Sequence, residues 1–150
     1  MPKRPSRAEN FLSREEKHQV EAAIKKAEQK TSAEIKLVLA SHCWGNIWDK
    51  AGSVFRKRGL KRTQERNAVL ILLVTTNREL LIYGDEGIHQ KAGQSLWDDV
   101  KEQMLAEFRQ DDFVAGLTLG VERIGHKLAE FFPPRADDIN EIPDGVVHEA

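Results

Sequence analysis

Two carboxylates stand between two glycines in the tetrapeptide Gly84-Asp85-Glu86-Gly87, directly after an apolar segment. Hard cations such as Ca²⁺ and Mg²⁺ take several oxygen ligands, most of them carboxylates and carbonyls. Asp85 and Glu86, joined by Asp112 or Glu34 from another segment, could therefore hold such an ion. Turn chemistry explains the same residues without a ligand, because glycine permits positive φ and Asp85 can cap a following helix. We favour the turn, and keep calcium or magnesium as a hypothesis.

A basic cluster lies just upstream, where six cations occur within eleven residues opposed by one acid, Glu65. Such clusters can hold phosphate, nucleic acid or an acidic partner. No aromatic residue interrupts the run, so stacking on single-stranded bases lacks support and nucleic acid is disfavoured. Two other interpretations are a solvated helix end facing the helix dipole and an internal partner, the acidic tail that includes Glu149. The cations are Arg56, Lys57, Arg58, Lys61, Arg62 and Arg66.

The remaining reactive side chains form no recognisable catalytic or metal-binding pattern. The five histidines lack zinc-site spacing. His42 and Cys43 are adjacent on a chain predicted to be extended and would point to opposite faces, which opposes a nucleophile–base pair. The chain has no Gly-x-Ser-x-Gly elbow, glycine-rich dinucleotide motif or P-loop. We expect the three tryptophans in the core, with a crevice or a partner surface as the alternative for Trp44 and Trp48.

The elements that must position the tetrapeptide are two strands. The unbroken apolar run 68–74 predicts a strand covered on both faces by helices. Turn residues at 75–78 and an apolar return at 79–83 predict a hairpin. The tetrapeptide then follows a strand end, where ligand crevices of open α/β sheets lie. We expect this crevice to be formed by Asn67, Gly84, Asp85, Glu86 and Gly87, with Arg66 beside it.

Apolar residues at helical spacing predict four helices, and the segment 34–40 reads as a further strand. Ser13 and Glu16 form a capping box for the first helix. Asp112 can cap the fourth, which two prolines end. The order α-β-α-β-β-α-α predicts a three-layer α/β/α sandwich with a small mixed sheet. We expect a basic, disordered arm over residues 1–10, one domain over 11–133, and an acidic, flexible tail over 134–150.

Composition excludes several classes of protein. The net charge of −1 gives no general attraction to nucleic acid or membranes. The longest apolar run is too short to span a bilayer, and no apolar segment follows the basic N-terminus as in a secretory signal. A single cysteine allows no intramolecular disulfide. We therefore expect a cytoplasmic protein with no membrane span.

Several segments, taken in order over residues 11–133, resemble the TPM domain family. The resemblance implies an α/β/α sandwich and a shorter, cytoplasmic branch of the family. Family members have been linked to divalent metal binding, to acid phosphatase activity and to photosystem repair in plants. The matching residues are Leu12-Ser13-x-Glu15-Glu16, Thr31-Ser32-Ala33-Glu34-Ile35, Phe55-x-x-x-Gly59-Leu60, Asn67-Ala68-Val69-Leu70-Ile71, Tyr83-Gly84-Asp85-Glu86-Gly87-Ile88 and Phe108-x-x-x-Asp112-Phe113-x-x-Gly116-Leu117.

Three positions carry the family's site residues onto this chain. By resemblance, Glu86 matches the glutamate of a Gly-Leu-Glu-Gly turn, and Asp112 matches an aspartate before the last helix. Many relatives have Asp-Asn-Gly ahead of the buried strand, where this chain has Arg66-Asn67-Ala68. An aspartate thought to help hold metal is thus an arginine here, which counts against both metal binding and phosphatase activity.

We predict a domain that acts by binding an ion, an anion or a protein partner at the crevice. The alternative is a weak, metal-assisted acid phosphatase, in which Asp85 and Glu86 hold a cation that polarises a phosphoryl oxygen and activates water. Arg66 would clamp the phosphate. A third class is an interaction module that uses the basic helix end and the acidic tail. No catalytic residue is assigned, and calcium or magnesium would be the cofactor.

Overall fold

The computed structural model describes residues 4–63, 65–135 and 145–149. The predicted α/β/α sandwich with a mixed sheet is confirmed, with strand order β3-β2-β1-β4. The strands are β1 (Glu34–Ala40), β2 (Ala68–Val74), β3 (Glu79–Gly84) and β4 (Val147–Glu149). The helices are α1 (Ala8–Phe11), α2 (Arg14–Glu28), α3 (Ile47–Lys57), α4 (Glu86–Lys91), α5 (Asp98–Arg109) and α6 (Phe113–Phe131), with short 3-10 helices at Leu60–Arg62 and Gln94–Trp97.

β1 and β2 form the centre of the sheet. They run parallel from the pair Glu34–Ala68 to the pair Ala40–Val74, and every residue of both strands is buried. β3 returns antiparallel to β2 as a hairpin, and β4 lies parallel to β1 on its other side. The unbroken apolar sequence of β2 is explained by cover on both faces.

The two faces of the sheet have separate cores. Alternate side chains such as Leu37 and Ile71 pack against α2, α5 and α6, whereas Leu70 and Leu72 pack against α3. The capping box of α2 is present: Ser13 Oγ accepts from Glu16 N at 3.1 Å, and Glu16 Oε1 accepts from Ser13 N at 2.8 Å. No helix among the described residues is both long and apolar enough to cross a bilayer.

Besides the two short 3-10 helices, three elements are missing from the predicted order α-β-α-β-β-α-α. α4 directly follows β3, α1 lies mostly in the segment expected to be a disordered arm, and β4 lies in the segment expected to be a flexible tail. Ala8 and Phe11 of α1 are buried, so this part of the arm packs against the domain. Residues 136–144 of the expected tail lie outside the described residues, and the domain limits at 11 and 133 stay a prediction.

Candidate binding site

The tetrapeptide lies at the amino ends of β1 and β2. Because β3 is antiparallel to β2, its last residue, Gly84, pairs with Val69 near the start of β2. Two backbone bonds fix the turn: Asp85 N donates to Ala68 O at 2.9 Å, and Gly87 N donates to Arg66 O at 2.8 Å. In open α/β sheets, ligands usually bind at the carboxyl ends of the parallel strands, which we call the strand-end rule. The crevice in this domain lies at the amino ends, on the opposite edge of the sheet.

Gly87 is required by close approach rather than by backbone angle. Neither glycine of the tetrapeptide has positive φ, which corrects the expectation from turn chemistry, while Arg66 has φ of 52°. A Cβ at position 87 would lie 2.7 Å from Arg66 O and closer still to Glu65 O. The absent side chain therefore lets α4 begin directly against the loop that carries Arg66.

Arg66 joins the two carboxylates of the tetrapeptide. Its Nε and Nη2 donate to Asp85 Oδ2 and Oδ1 at 3.0 and 3.2 Å, and its Nη1 lies 3.4 Å from Glu86 Oε2. The hydrogen bonds that Arg66 donates to Asp85, together with the charge of that carboxylate, raise the pKa of Arg66 above its ordinary value. The bidentate geometry is the one that guanidinium and carboxylate groups favour. One guanidinium against two carboxylates leaves this cluster with a formal charge of −1.

Asp85 and Glu86 differ in exposure. Asp85 is 4% exposed and also caps α4 by accepting from Glu86 N at 2.7 Å, as the turn interpretation predicted. The Glu86 side chain is 61% exposed and that of Arg66 is 37% exposed. Arg66 can therefore leave the pair toward solvent, and Glu86 can meet an incoming ligand first.

Asn67 adds a side-chain amide beside this cluster. The residue is 2% exposed, and its backbone N donates to Thr63 Oγ1 at 3.0 Å. Its side chain makes no hydrogen bond to any other described residue. This amide can hydrogen-bond a ligand.

Asp112 is not brought to the tetrapeptide. It caps α6 by accepting from Ala115 N at 3.1 Å. The next residue, Phe113, packs on Phe11 with ring centroids 4.9 Å apart and beneath Arg78 of the β2–β3 turn. That turn and Asp85 lie at opposite ends of β2, roughly 20 Å apart at the usual strand rise. Among the described residues, no three His, Cys, Asp or Glu side chains could together hold a metal ion.

The carboxyl ends of β1 and β2 are covered by the chain's own N-terminal segment. Ala8 N donates to Ser41 Oγ at 2.8 Å, and the Thr75 hydroxyl donates to Ser6 O. Both Ser41 and Thr75 are buried. The edge at which parallel strands normally open to a ligand is thus filled by residues 4–11.

A model of the TPM domain matches residues 6–127. The chain belongs to the TPM domain family. Among solved structures, it is 34% identical to the BA42 protein of the psychrophilic bacterium Bizionia argentinensis, over 96% of this chain and 99% of that one, with a TM-score of 0.88. The N-terminal domain of a P. gingivalis protein shares the fold at 17% identity, with coverage of 81% and 78% and a TM-score of 0.62. No curated protein matches.

The basic cluster of this TPM domain meets the C-terminal segment. Glu149 Oε2 accepts from Arg58 Nη2 at 2.9 Å, and the Nζ atoms of Lys57 and Lys50 lie 3.9 Å from its carboxylate. The internal-partner interpretation therefore holds for this acid. Lys50 was not included in the cluster, although it precedes Lys57 by seven residues and so shares its helix face. The other tail acids, Asp137, Asp138, Glu141 and Asp144, lie outside the described residues.

The tryptophans of the TPM domain separate into two groups. Trp97 is buried, as expected. The expectation of a core position is wrong for Trp44 and Trp48, which are 89% and 45% exposed. Trp44 stacks on His42 at 5.3 Å, and Trp48 meets the Tyr83 ring edge-on at 6.2 Å. Trp44 lies in the loop between β1 and α3, and Trp48 lies in the first turn of α3, where the neighbouring Ile47 takes the buried position.

Proposed function

We propose that this TPM domain acts by binding, and that the crevice formed by Arg66, Asp85 and Glu86 takes a cationic ligand by exchange with the Arg66 guanidinium. The observation that carries the proposal is the internal ion pair, in which a guanidinium occupies the position between two carboxylates. The cluster retains a charge of −1, so it attracts a cation and repels an anion.

The ligand would be a divalent cation or the basic side chain of a protein partner. The oxygens of Asp85, Glu86 and the Asn67 amide can coordinate a metal ion or accept hydrogen bonds from a basic side chain. The partial exposure of Arg66 supports exchange, because the displaced guanidinium would be hydrated rather than buried alone. Arg66 also weakens the site for metal, since every incoming ion must first break a bidentate pair.

A metal-assisted phosphatase is the second possibility, because the matching family model bears the name TPM phosphatase. It would need a firmly held cation that activates water. Asp112 caps α6 at the other end of the sheet, and Asp85 and Glu86 already pair with Arg66. Among the described residues, no group of three His, Cys, Asp or Glu side chains is placed to hold the ion. Hydrolysis of p-nitrophenyl phosphate that survives repurification and disappears in Glu86→Ala would support this alternative over binding alone.

Calcium titration followed by backbone amide NMR shifts tests the exchange. We expect the wild-type chain to respond only at millimolar calcium or above, the weak end of protein calcium sites. Arg66→Ala should strengthen binding by roughly tenfold or more, because it leaves two uncompensated carboxylates. Adding Glu86→Gln to Arg66→Ala should reverse that gain.

Glu79→Gln supplies the matched control, since Glu79 is an exposed acid at the other end of β3. It should leave the calcium response of Arg66→Ala unchanged. An Arg66→Ala variant that binds calcium no better than the wild-type chain would refute the exchange. So would shifts centred on Asp112 instead of on the loop at 65–67 and the turn at 84–87.

A further inference from the structure

A groove with a volume of about 540 Å³ runs between α2 and α6. Its floor is made of small residues, including Ala23, Ala27 and Gly125. The helices touch there, since a Cβ at Gly125 would lie 2.8 Å from the Ala27 Cβ. The space beside this contact is within the range of roughly 300–1,000 Å³ that small-molecule pockets occupy.

Cations reach this groove from both walls. Lys26 lies in the last turn of α2, Lys30 lies in the turn that follows this helix, and Arg123 comes from α6. Glu122 is the one acid in the lining, so the formal charge is +2 with His126 neutral. None of the three cations forms an ion pair with another described residue.

The neighbouring surface provides a contrast. Lys127, which follows the groove residue His126 on α6, pairs with Asp99 at 3.3 Å. A single unpaired lysine on a surface is ordinary. Lys26, Lys30 and Arg123 have no ion-pair partner among the described residues and line one concave space with a small-residue floor, so they raise the local potential for an anion.

We propose that this groove binds a small organic anion that carries a phosphate group. A phosphomonoester has a charge of about −1.5 to −2 at neutral pH, which matches the lining. The planar guanidinium of Arg123 can donate two parallel hydrogen bonds to phosphate oxygens, while Lys26 and Lys30 act as point charges. The carbon part of the ligand would lie on the alanine and glycine floor. The groove lies apart from the Arg66 crevice, and the proposal does not rest on it.

Titration with ribose 5-phosphate, followed by backbone amide shifts at low salt, tests the site. We expect saturable shifts along the facing turns of α2 and α6, and none with ribose. Lys26→Gln combined with Arg123→Gln should weaken binding by roughly tenfold or more. The control pair is Arg14→Gln with Lys25→Gln, two exposed cations of α2 outside the groove lining. This pair changes the net charge equally and should weaken binding by no more than about twofold, through general electrostatics.

Ala23→Leu tests whether the ligand binds inside the groove or is only attracted to the charges at its edge. The substitution fills the floor and leaves every charge in place, so we expect it to weaken binding while the thermal melt confirms folding. Normal binding by folded Ala23→Leu would overturn the proposal. It would also be overturned if the control pair weakened binding as much as the groove pair, if ribose produced the same shifts, or if inorganic phosphate or a homopolymeric RNA bound more tightly than ribose 5-phosphate.

Discussion

At the carboxyl ends of β1 and β2, polar groups bond to the chain's own N-terminal segment, whereas at their amino ends charged groups bond to one another and remain open to solvent. Ser41 and Thr75 are buried beneath residues 4–11. Arg66 and Glu86, at the other end, keep more than a third of their side chains exposed. The first end is built as core, and the second as a surface with replaceable partners.

The difference shows why the strand-end rule points to the wrong edge here. The rule depends on an open crevice between diverging connections at the carboxyl ends of parallel strands. In this domain Phe11 closes that space, with Arg78 4.7 Å and Arg4 5.4 Å from its ring. Arg4 is itself held by Glu16 at 2.7 Å. The antiparallel β3 instead carries the acidic turn back to the amino edge.

Among these predictions, Phe11→Ala should lower the free energy of unfolding the most. A small loss would show that the covered end of the sheet is not core. Phe11, the last residue of α1, is buried against Phe113. Truncation of a core phenylalanine costs about 3–5 kcal/mol of unfolding free energy. Urea denaturation measures it. Phe131→Ala, at a partly buried site late in α6, is the control and should cost clearly less. A loss under about 1 kcal/mol at position 11 would mean that the N-terminal segment does not cover the sheet in solution.

Gly87→Ala tests the close backbone approach at the open end of the sheet, where the amino ends of β1 and β2 lie. The added Cβ would strike backbone oxygens of residues 65 and 66, which cannot rotate away as a side chain can. We expect a loss of about 2–3 kcal/mol, as for overpacked sites. Gly52→Ala is the matched control in α3, where a Cβ would meet only Arg56 Nη1 at 3.5 Å. It should stabilise the domain by about 0.5–1 kcal/mol, and equal effects at both glycines would contradict the proposed close approach.

Much of the fold could be predicted because its signals are local. The covered strand β2 appears as seven apolar residues, and the capping box of α2 lies within four residues of sequence. β4 carries no such signal. It has three residues, and its pairing of Val147 with Val38 joins positions more than a hundred residues apart. α1 is similarly short and is held by a tertiary bond to Ser41.

The position of the site along the chain could be predicted from the sequence, but the contacts within it could not. The hairpin brings Arg66 beside Asp85, as expected of the crevice, yet sequence alone does not show that they bond to each other. Asp112 was grouped with them as a carboxylate from another segment and by resemblance, and its real position depends on how α6 packs. The groove between α2 and α6 had no signal, because its cations come from separate helices whose facing sides are fixed only by packing.

The smallest effect concerns β4, which lies against the covered end. Burial lowers the pKa of His148, and the charge of Lys17 lowers it further, while Glu9 and Glu21 act in the opposite direction. Its Nε2 has no hydrogen-bond partner among the described residues, so the folded state favours the neutral ring. The unfolded chain binds the proton near pH 6.5. The stability contributed by neutral His148 is therefore complete above pH 6.5 and is lost as the pH falls from there through the folded pKa.

Because β4 is short, we expect this loss to open the strand locally rather than to unfold the domain. The Ser41 amide, which donates to Glu149 O at 2.8 Å, reports that opening. Its protection from hydrogen exchange, corrected for the intrinsic rate, should fall below pH 6.5. His148→Phe should remove the pH dependence, and His18→Gln, at an exposed site on α2, should keep it. If His18→Gln removed the pH dependence of Ser41 protection and His148→Phe kept it, the pH-sensitive group would lie on α2. β4 would then be held as firmly as the N-terminal segment beside it.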